Sequence, residues 1–458
     1  MNSRRKRQMH LFAMPMGSGG HLAGWRLSGS GAEKLMTLEY WKEIAQLSEA
    51  GCFDALFIAD SQGFRIIEGA DAFCQTDAVR LDPVTLLAAL SACTRHLGLV
   101  ATMSTSYNEP YIAARRLATL DHLSGGRAAW NVVTSTSENE AHNFGRDVHF
   151  GHAERYERAS EFVDVVKALW DGWDDDAFEY DRQGARFFNP DKVHGLYYKG
   201  DHFSVAGPLT LGRPPQGHPV IVQAGASSAG LDLAARTADA VFTSHPKLES
   251  AIAFYADLKA RVVAAGRPAD SLKIMCAIQP VAAASKSEAE AEVADLNALI
   301  PDNLAMGYLQ MSIGGVDLSA HDPDGPLPNL PASNASQATR QRIIDMSEKQ
   351  GMSIRQIARK MAESRTSHAL AGTPGMIADQ MQEWFEKGAA DGFVIAPPAL
   401  PMMLRSFVEL VVPELQSRGL LRVSYEGDTL RDRLGLQRPV NRYEVDPSLH
   451  QEPEIWHP

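Results

Sequence analysis

The sequence lacks the features that mark membrane-spanning, secreted and nucleic-acid-binding proteins. No run of about 18 apolar residues occurs in its 458 positions, so no segment reads as a membrane span. The apolar stretch Met9 to Met16 contains His10 and Pro15 and is too short for a secretory core. Basic charge is scarce: 44 Lys and Arg stand against 56 Asp and Glu, a formal net charge of −12. Such an excess of acid argues against nucleic acid or an anionic membrane as partner. The cluster Arg4, Arg5, Lys6 and Arg7 reads as a solvated tail. Cysteine is scarce too. Cys52, Cys74, Cys93 and Cys276 form no C-x-x-C pair, and each sits in or beside an apolar run. That predicts buried, reduced thiols and a cytoplasmic setting.

Several chemistries lack their motifs. No G-x-G-x-x-G follows a strand, so a Rossmann dinucleotide site has no support. No H-x-H or H-E-x-x-H pairs histidines for zinc, and no metal is expected. Gly225-x-Ser227 begins like a nucleophile elbow, but the second glycine, Gly230, comes one residue late.

What is present is an ordinary globular composition, 45 % hydrophobic and 22 % charged, in a chain long enough for one large barrel with insertions. Eight short β-like runs can be read: 9–14, 53–59, 97–102, 128–133, 219–223, 240–243, 272–280 and 392–396. Amphipathic helical patterns alternate with them. In 154–170, Ala159, Phe162, Val163, Val166, Leu169 and Trp170 recur at three- and four-residue steps. The segments 110–123 and 377–387 are similar. This alternation predicts an α/β fold, a (β/α)₈ TIM barrel with insertions, as one domain over 1–458. Insertions are expected at about 171–218, with a hairpin over 195–205, and at about 302–367, a loop ending in a helix around 354–361. The polar chain from about 415 is expected to wrap the barrel or a partner subunit.

In such a barrel the active site lies where strands end. Asp60 ends the second strand, and Thr102 opens a hydroxyl-rich run at the end of the third. Asn131 lies near the end of the fourth. An aspartate there also serves as a turn former, and hydroxyls there also satisfy local backbone groups. His152 and Tyr156 are four residues apart at a helix start and can meet one ligand, although Tyr156 also fits the apolar stripe. After the fifth strand, Ala226, Ser227 and Ser228 lie in a Gly/Ser turn entering a helix. Phosphate binds well at such a turn, which is also a commonplace helix start.

The runs Asp54–Asp60, Pro110–Ser135, His152–Tyr156, Gln223–Ser227 and Gly427–Arg431 resemble the bacterial luciferase-like superfamily. The resemblance is to the branch of nitrilotriacetate, EDTA, dibenzothiophene-sulfone and long-chain alkane monooxygenases, and it covers nearly the whole chain. It implies an oxygenase component that receives reduced FMN (FMNH₂) from a separate NAD(P)H:flavin reductase. With O₂ it would oxygenate a small-molecule substrate of organosulfur, polyaminocarboxylate or alkane type through a flavin C4a-peroxide. It also implies a homodimer or homotetramer, and places Asp60, Thr102, His152, Tyr156 and Ser227 at flavin-binding positions. His21, Trp25, Arg26 and Phe64 follow the first two strands and are candidates for the substrate pocket. Two other classes stay open: an F420-dependent oxidoreductase on the same barrel, and a hydrolase using the Ser227 region.

Overall fold

Eight parallel strands close on themselves in the computed structural model. It describes residues 7–64, 72–135, 137–225, 227–333, 337–363 and 368–450. The strands are β1 (His10–Ala13), β2 (Ala55–Ile58), β3 (Gly98–Ser104), β4 (Ala128–Val133), β5 (Val220–Ala224), β6 (Ala240–Thr243), β7 (Lys273–Ala282) and β8 (Gly392–Ile395). Each pairs with its successor, β7 with β8 through Met275 to Gly392 although a long insertion separates them in sequence, and β8 pairs back with β1 through His10 to Gly392. The fold is a TIM barrel. All eight runs read from the sequence are strands here. β7 runs two residues further than expected, because its end pairs with an additional strand, His368–Gly372.

Both faces of the barrel wall are buried, which is why the strands read as nearly continuous apolar runs. Phe12, Phe57, Val100, Ala129, Val222 and Val394 fill the interior. Leu11, Leu56, Leu99, Trp130 and Phe393 face the surrounding helices. Those helices include α1 (Leu38–Ala50), α2 (Pro83–Ser91), α3 (Pro110–Ser124), α4 (His152–Trp170), α5 (Ser228–Thr237), α6 (Leu248–Ala264) and α7 (Pro374–Glu386). α4 begins two residues before the predicted start, which brings His152 into its first turn. Among the described residues, no helix is long and apolar enough to cross a membrane.

The end of the chain closes the bottom of the barrel. Leu430 and Leu434 pack into the interior cluster, and a Cβ at Gly98 would lie 2.7 Å from Leu430. Burying each leucine contributes roughly 1.5–3 kcal/mol. Arg431 fixes this plug through Asp239 at 2.8 Å. The extension therefore wraps the barrel's own base.

Some expectations change. Cys52 and Cys276 are buried, but Cys74 is exposed and Cys93 half-exposed. Arg7 is not a solvated tail residue: it pairs with Asp391 at 2.7 Å and lies over the Phe385 ring. Residues 1–6 lie outside the described residues. The insertion at 171–218 holds the expected hairpin, reduced to Tyr198–Lys199 and Ser204–Val205, and a further one, Phe178–Asp181 with Arg186–Phe188. The stretch from Asp302, expected as loop, is a helix to Ser312. Leu304, Ala305, Tyr308 and Leu309 bury one face of it in a separate core with Ile343, Ile354 and Ile357.

Candidate active site

The open mouth lies at the C-terminal ends of the strands. β3 and β4 run in register, Thr102 opposite Asn131, and their side chains meet there. Asn131 Nδ2 donates to Thr102 Oγ1 at 2.9 Å, while Asn131 Oδ1 is buried with no partner. Ser104 and Ser135, at the next turn upward, join through their hydroxyls at 2.8 Å. Asp60, Ser61, Thr102, Ser104, Ser135 and Glu140 line one cleft. Burial, with Asp82 and Glu140 nearby, pushes the Asp60 carboxyl above the usual carboxylate range.

α5 begins just after β5, the strand paired with β4. Ser227 is its N-cap, and its hydroxyl accepts the Gly230 N–H at 3.2 Å. The remaining first-turn N–H groups and the positive end of the helix dipole suit an anion. Tyr156 brings its hydroxyl to 3.3 Å from Ser227 Oγ, and its ring lies 5.0 Å from that of His152. A Cβ at position 230 would come within 3.1 Å of the Tyr156 hydroxyl, so a larger residue there would push that hydroxyl aside by a few tenths of an ångström. Ser228 turns its hydroxyl outward to Arg261 at 3.3 Å, leaving only its backbone at the helix start. Ala226 lies outside the described residues.

The four residues read as substrate candidates are not gathered here. His21 Nε2 faces Asn297 Oδ1 at 3.0 Å, and its Nδ1 accepts the Ala23 N–H. Trp25 donates to the Gln75 carbonyl at 2.8 Å, and Arg26 to that of Leu299. Phe64 stands exposed on the rim. A cavity of about 80 Å³ beside Asp60 is lined instead by Met16, Leu22, Arg80, Tyr308 and Met311, among others. A cleft of about 830 Å³ lies at the opposite, N-terminal end of the barrel, where Asp171 and Asp239 are already held by Arg213 and Arg431.

Glu140 and His149, also at the mouth, had no sequence signal, whereas Tyr107 ends the hydroxyl-rich run that Thr102 opens. Glu140 Oε1 accepts the Ser61 hydroxyl at 2.6 Å, and its Oε2 is buried without a partner. It stands on a one-turn helix, Glu138–Asn143, too short to show periodicity. Tyr107 bonds His149 Nδ1, and His149 Nε2 faces Arg155 at 3.4 Å. Arginine only donates, so Nε2 is the acceptor and Nδ1 carries the hydrogen. Burial pushes the His149 pKa down, in keeping with a neutral ring.

A closed barrel with unsatisfied polar atoms at its C-terminal mouth and an anion-suited helix start beside them defines a TIM-barrel enzyme of the ligand-holding kind. The luciferase-like monooxygenase family matches residues 16–391, and the chain belongs to that family. It is 45 % identical to N-acetyl-S-(2-succino)cysteine monooxygenase of Bacillus subtilis (strain 168), over 96 % of this chain and 99 % of the relative. It is 44 % identical to nitrilotriacetate monooxygenase component A of Aminobacter aminovorans, over 95 % and 98 %. A solved riboflavin lyase, with modified FMN and substrate riboflavin, superposes with a TM-score of 0.87 at 32 % identity, covering 97 % of this chain and all of that one.

Proposed function

We propose that the chain is the oxygenase component of a two-component flavin-dependent monooxygenase. It would take reduced FMN from a separate NAD(P)H:flavin reductase and, with O₂, oxygenate a small organic substrate of organosulfur, polyaminocarboxylate or alkane type. The observation that carries this reading is the pairing of two features at one mouth. Asn131 Oδ1 and Glu140 Oε2 are buried with no partner among the described residues, and the α5 start, where Ser227 meets Tyr156, follows β5, the strand paired with β4. A folded chain rarely leaves such atoms unpaired except where a ligand or water completes them. A flat polar ring system with a phosphate tail fits that donor and acceptor set.

In this reading the helix-start N–H groups, Ser227, Tyr156 and His152 bind the phosphate end. Thr102, Asn131 and Asp60 face the ring system. Reduced flavin, when bound, supplies the activation of O₂ that puts one oxygen atom on the substrate and the other in water. The chain's own residues orient the groups and exclude water. Tyr308 and Met311, carried by the 302–312 helix, wall the small cavity next to Asp60 where a substrate would sit. The Aminobacter relative is named as a component A, which supports a partner protein. Assembly into dimers or tetramers belongs to the same proposal, and light scattering tests it.

The hydrolase alternative has less support. Ser227 Oγ caps its helix and faces a tyrosine hydroxyl, and no imidazole among the described residues activates it. The deciding experiment supplies FMN, NADH, a flavin reductase and O₂, with succinylated thioethers, nitrilotriacetate, aryl sulfones and alkanes as substrates. Oxygen uptake and product mass are recorded. The reading requires product one oxygen heavier, or its cleavage products, and none when the reductase is left out. Turnover with F420 and no oxygen uptake, or turnover without any flavin, overturns it.

A further inference from the structure

One buried arginine in the first turn of α4 has too few partners. Arg155 is 3 % exposed. Its Nη1 donates to the Ser135 carbonyl and lies 3.4 Å from His149 Nε2. Its Nε is buried with no acceptor among the described residues. Other buried arginines show how this chain ordinarily handles such a charge. Arg213 lies against Asp171 at 3.0 Å and Arg431 against Asp239 at 2.8 Å. Arg127 donates to the carbonyls of Ser91, Thr94, Leu97 and Ser124. Arg433 also leaves its Nε without a partner, yet its other nitrogens serve three carbonyls. The carboxylate that acts on Arg155 most directly, Glu138, instead accepts the backbone N–H of His149 at 2.9 Å. A buried cation facing no anion is costly, so the fold has reason to retain this one only if something completes it.

Its location says what that is. Arg155 lies between His152 and Tyr156 in sequence, and Tyr156 reaches Ser227. Through Nη1 it also holds the end of β4, where Ser135 takes a left-handed φ of +53° and joins Ser104. It therefore stands between the proposed phosphate end and the proposed ring end of the flavin cleft. Resting on that reading of the cleft, we propose that Arg155 is the positioning counter-charge of the bound flavin, so that an anionic ligand supplies the partner the fold does not. The anion has two possible sources on one molecule, the phosphate and the reduced ring.

The test titrates wild type, Arg155→Gln and Arg155→Lys with FMN and with riboflavin, each oxidised and, anaerobically, reduced. Flavin-free melting temperatures are measured alongside. Arg155→Gln should lose tenfold or more in affinity for the charged ligand form. If the phosphate is the partner, the loss falls on FMN in both oxidation states and spares riboflavin within about twofold. If the reduced ring is the partner, it falls on both flavins when reduced. Arg155→Lys, which keeps the charge, should recover at least part of either loss. Equal losses for all four ligand forms, no loss, or a lysine variant as weak as the glutamine one overturns the inference. Should Arg155→Gln fail to fold, the wild type decides. It must prefer FMN to riboflavin, or reduced to oxidised flavin, by more than tenfold, and the lack of both preferences overturns the inference. A wild type that binds no flavin at all refutes the proposed function itself, whereas flavin binding indifferent to Arg155 refutes this inference alone.

Discussion

Replacing Ser227 with Asp separates the two roles of that position. As N-cap, Ser227 accepts the Gly230 N–H at 3.2 Å. Asp caps a helix as well as Ser does, so α5 keeps its start and the flavin-free protein should melt within a few degrees of wild type. Only the charge changes. A phosphate held by the first-turn N–H groups would lie within about 4 Å of the new carboxylate, where two unit charges repel by about 4 kcal/mol at an effective dielectric of about 20. If rotation of the side chain and mobile ions relieve half of this, about 2 kcal/mol remains, a loss of roughly thirtyfold in FMN affinity. Riboflavin, which has no phosphate, should lose no more than about threefold by the same reasoning. Fluorescence titration of both flavins against wild type and Ser227→Asp measures the difference. If the variant binds FMN as tightly as wild type, or loses both flavins equally, the phosphate does not lie at this helix start.

Tyr156→Phe removes the hydroxyl 3.3 Å from Ser227 but keeps the ring beside His152, so FMN affinity should fall by about 0.5–1.5 kcal/mol, up to roughly tenfold, with no change in melting temperature. An unchanged affinity removes the hydroxyl from the site. Asp60 has its folded pKa raised by burial, so its ionised form is disfavoured in the fold; that penalty is present above the folded pKa and vanishes below the unfolded value of about 3.9. Asp60→Asn should therefore melt above wild type at pH 7 and converge with it near pH 3, and parallel curves would count against the burial argument. Arg431→Met leaves Asp239, 8 % exposed, with the Ile221 N–H at 2.8 Å but without its ion pair. Stability to urea should fall by about 3–5 kcal/mol, and a loss under about 1 kcal/mol would show that the base plug does not depend on this pair.

The barrel was legible because each strand is buried on both faces, so a short apolar run such as Leu97–Thr102 marks it whatever its surroundings. The alternation with helices then left little choice of topology. The helix Asp302–Ser312 was not legible in the same way. Its Asp, Asn and Gly residues look like loop, and it becomes amphipathic only against Ile343, Ile354 and Ile357, some 30 to 50 positions later. The strand-end groups could be listed from the sequence, since the position of Asp60, Thr102 or Asn131 follows from the strand. The groups that reach the mouth from loops could not. Glu140 meets Ser61 across 79 positions, and His149 meets Tyr107 across 42. The plug leucine Leu430 carried no signal of its destination either, because nothing local says that a four-residue helix enters a barrel.

Two of the packed clusters among the described residues, the barrel interior and the one around the 302–312 helix, bear on substrate choice. The proposed flavin contacts stand on strand ends held by the barrel's own packing, with Phe57, Val100, Ala129 and Val222 beneath them. The wall of the neighbouring cavity is different. Tyr308 and Met311 ride on a helix whose packing belongs to the cluster of Leu304, Leu309, Ile343, Ile354, Ile357 and Met361. A volume change in one core disturbs its own neighbours first, since packed interiors transmit strain through contact. The cavity wall can therefore be remodelled through the second core while Thr102, Asn131 and Ser227 keep their places. Relatives matching nearly the whole chain at 44–45 % identity bear the names of a succinylated cysteine and of nitrilotriacetate. Such a division lets the cavity wall change without moving the strand-end groups.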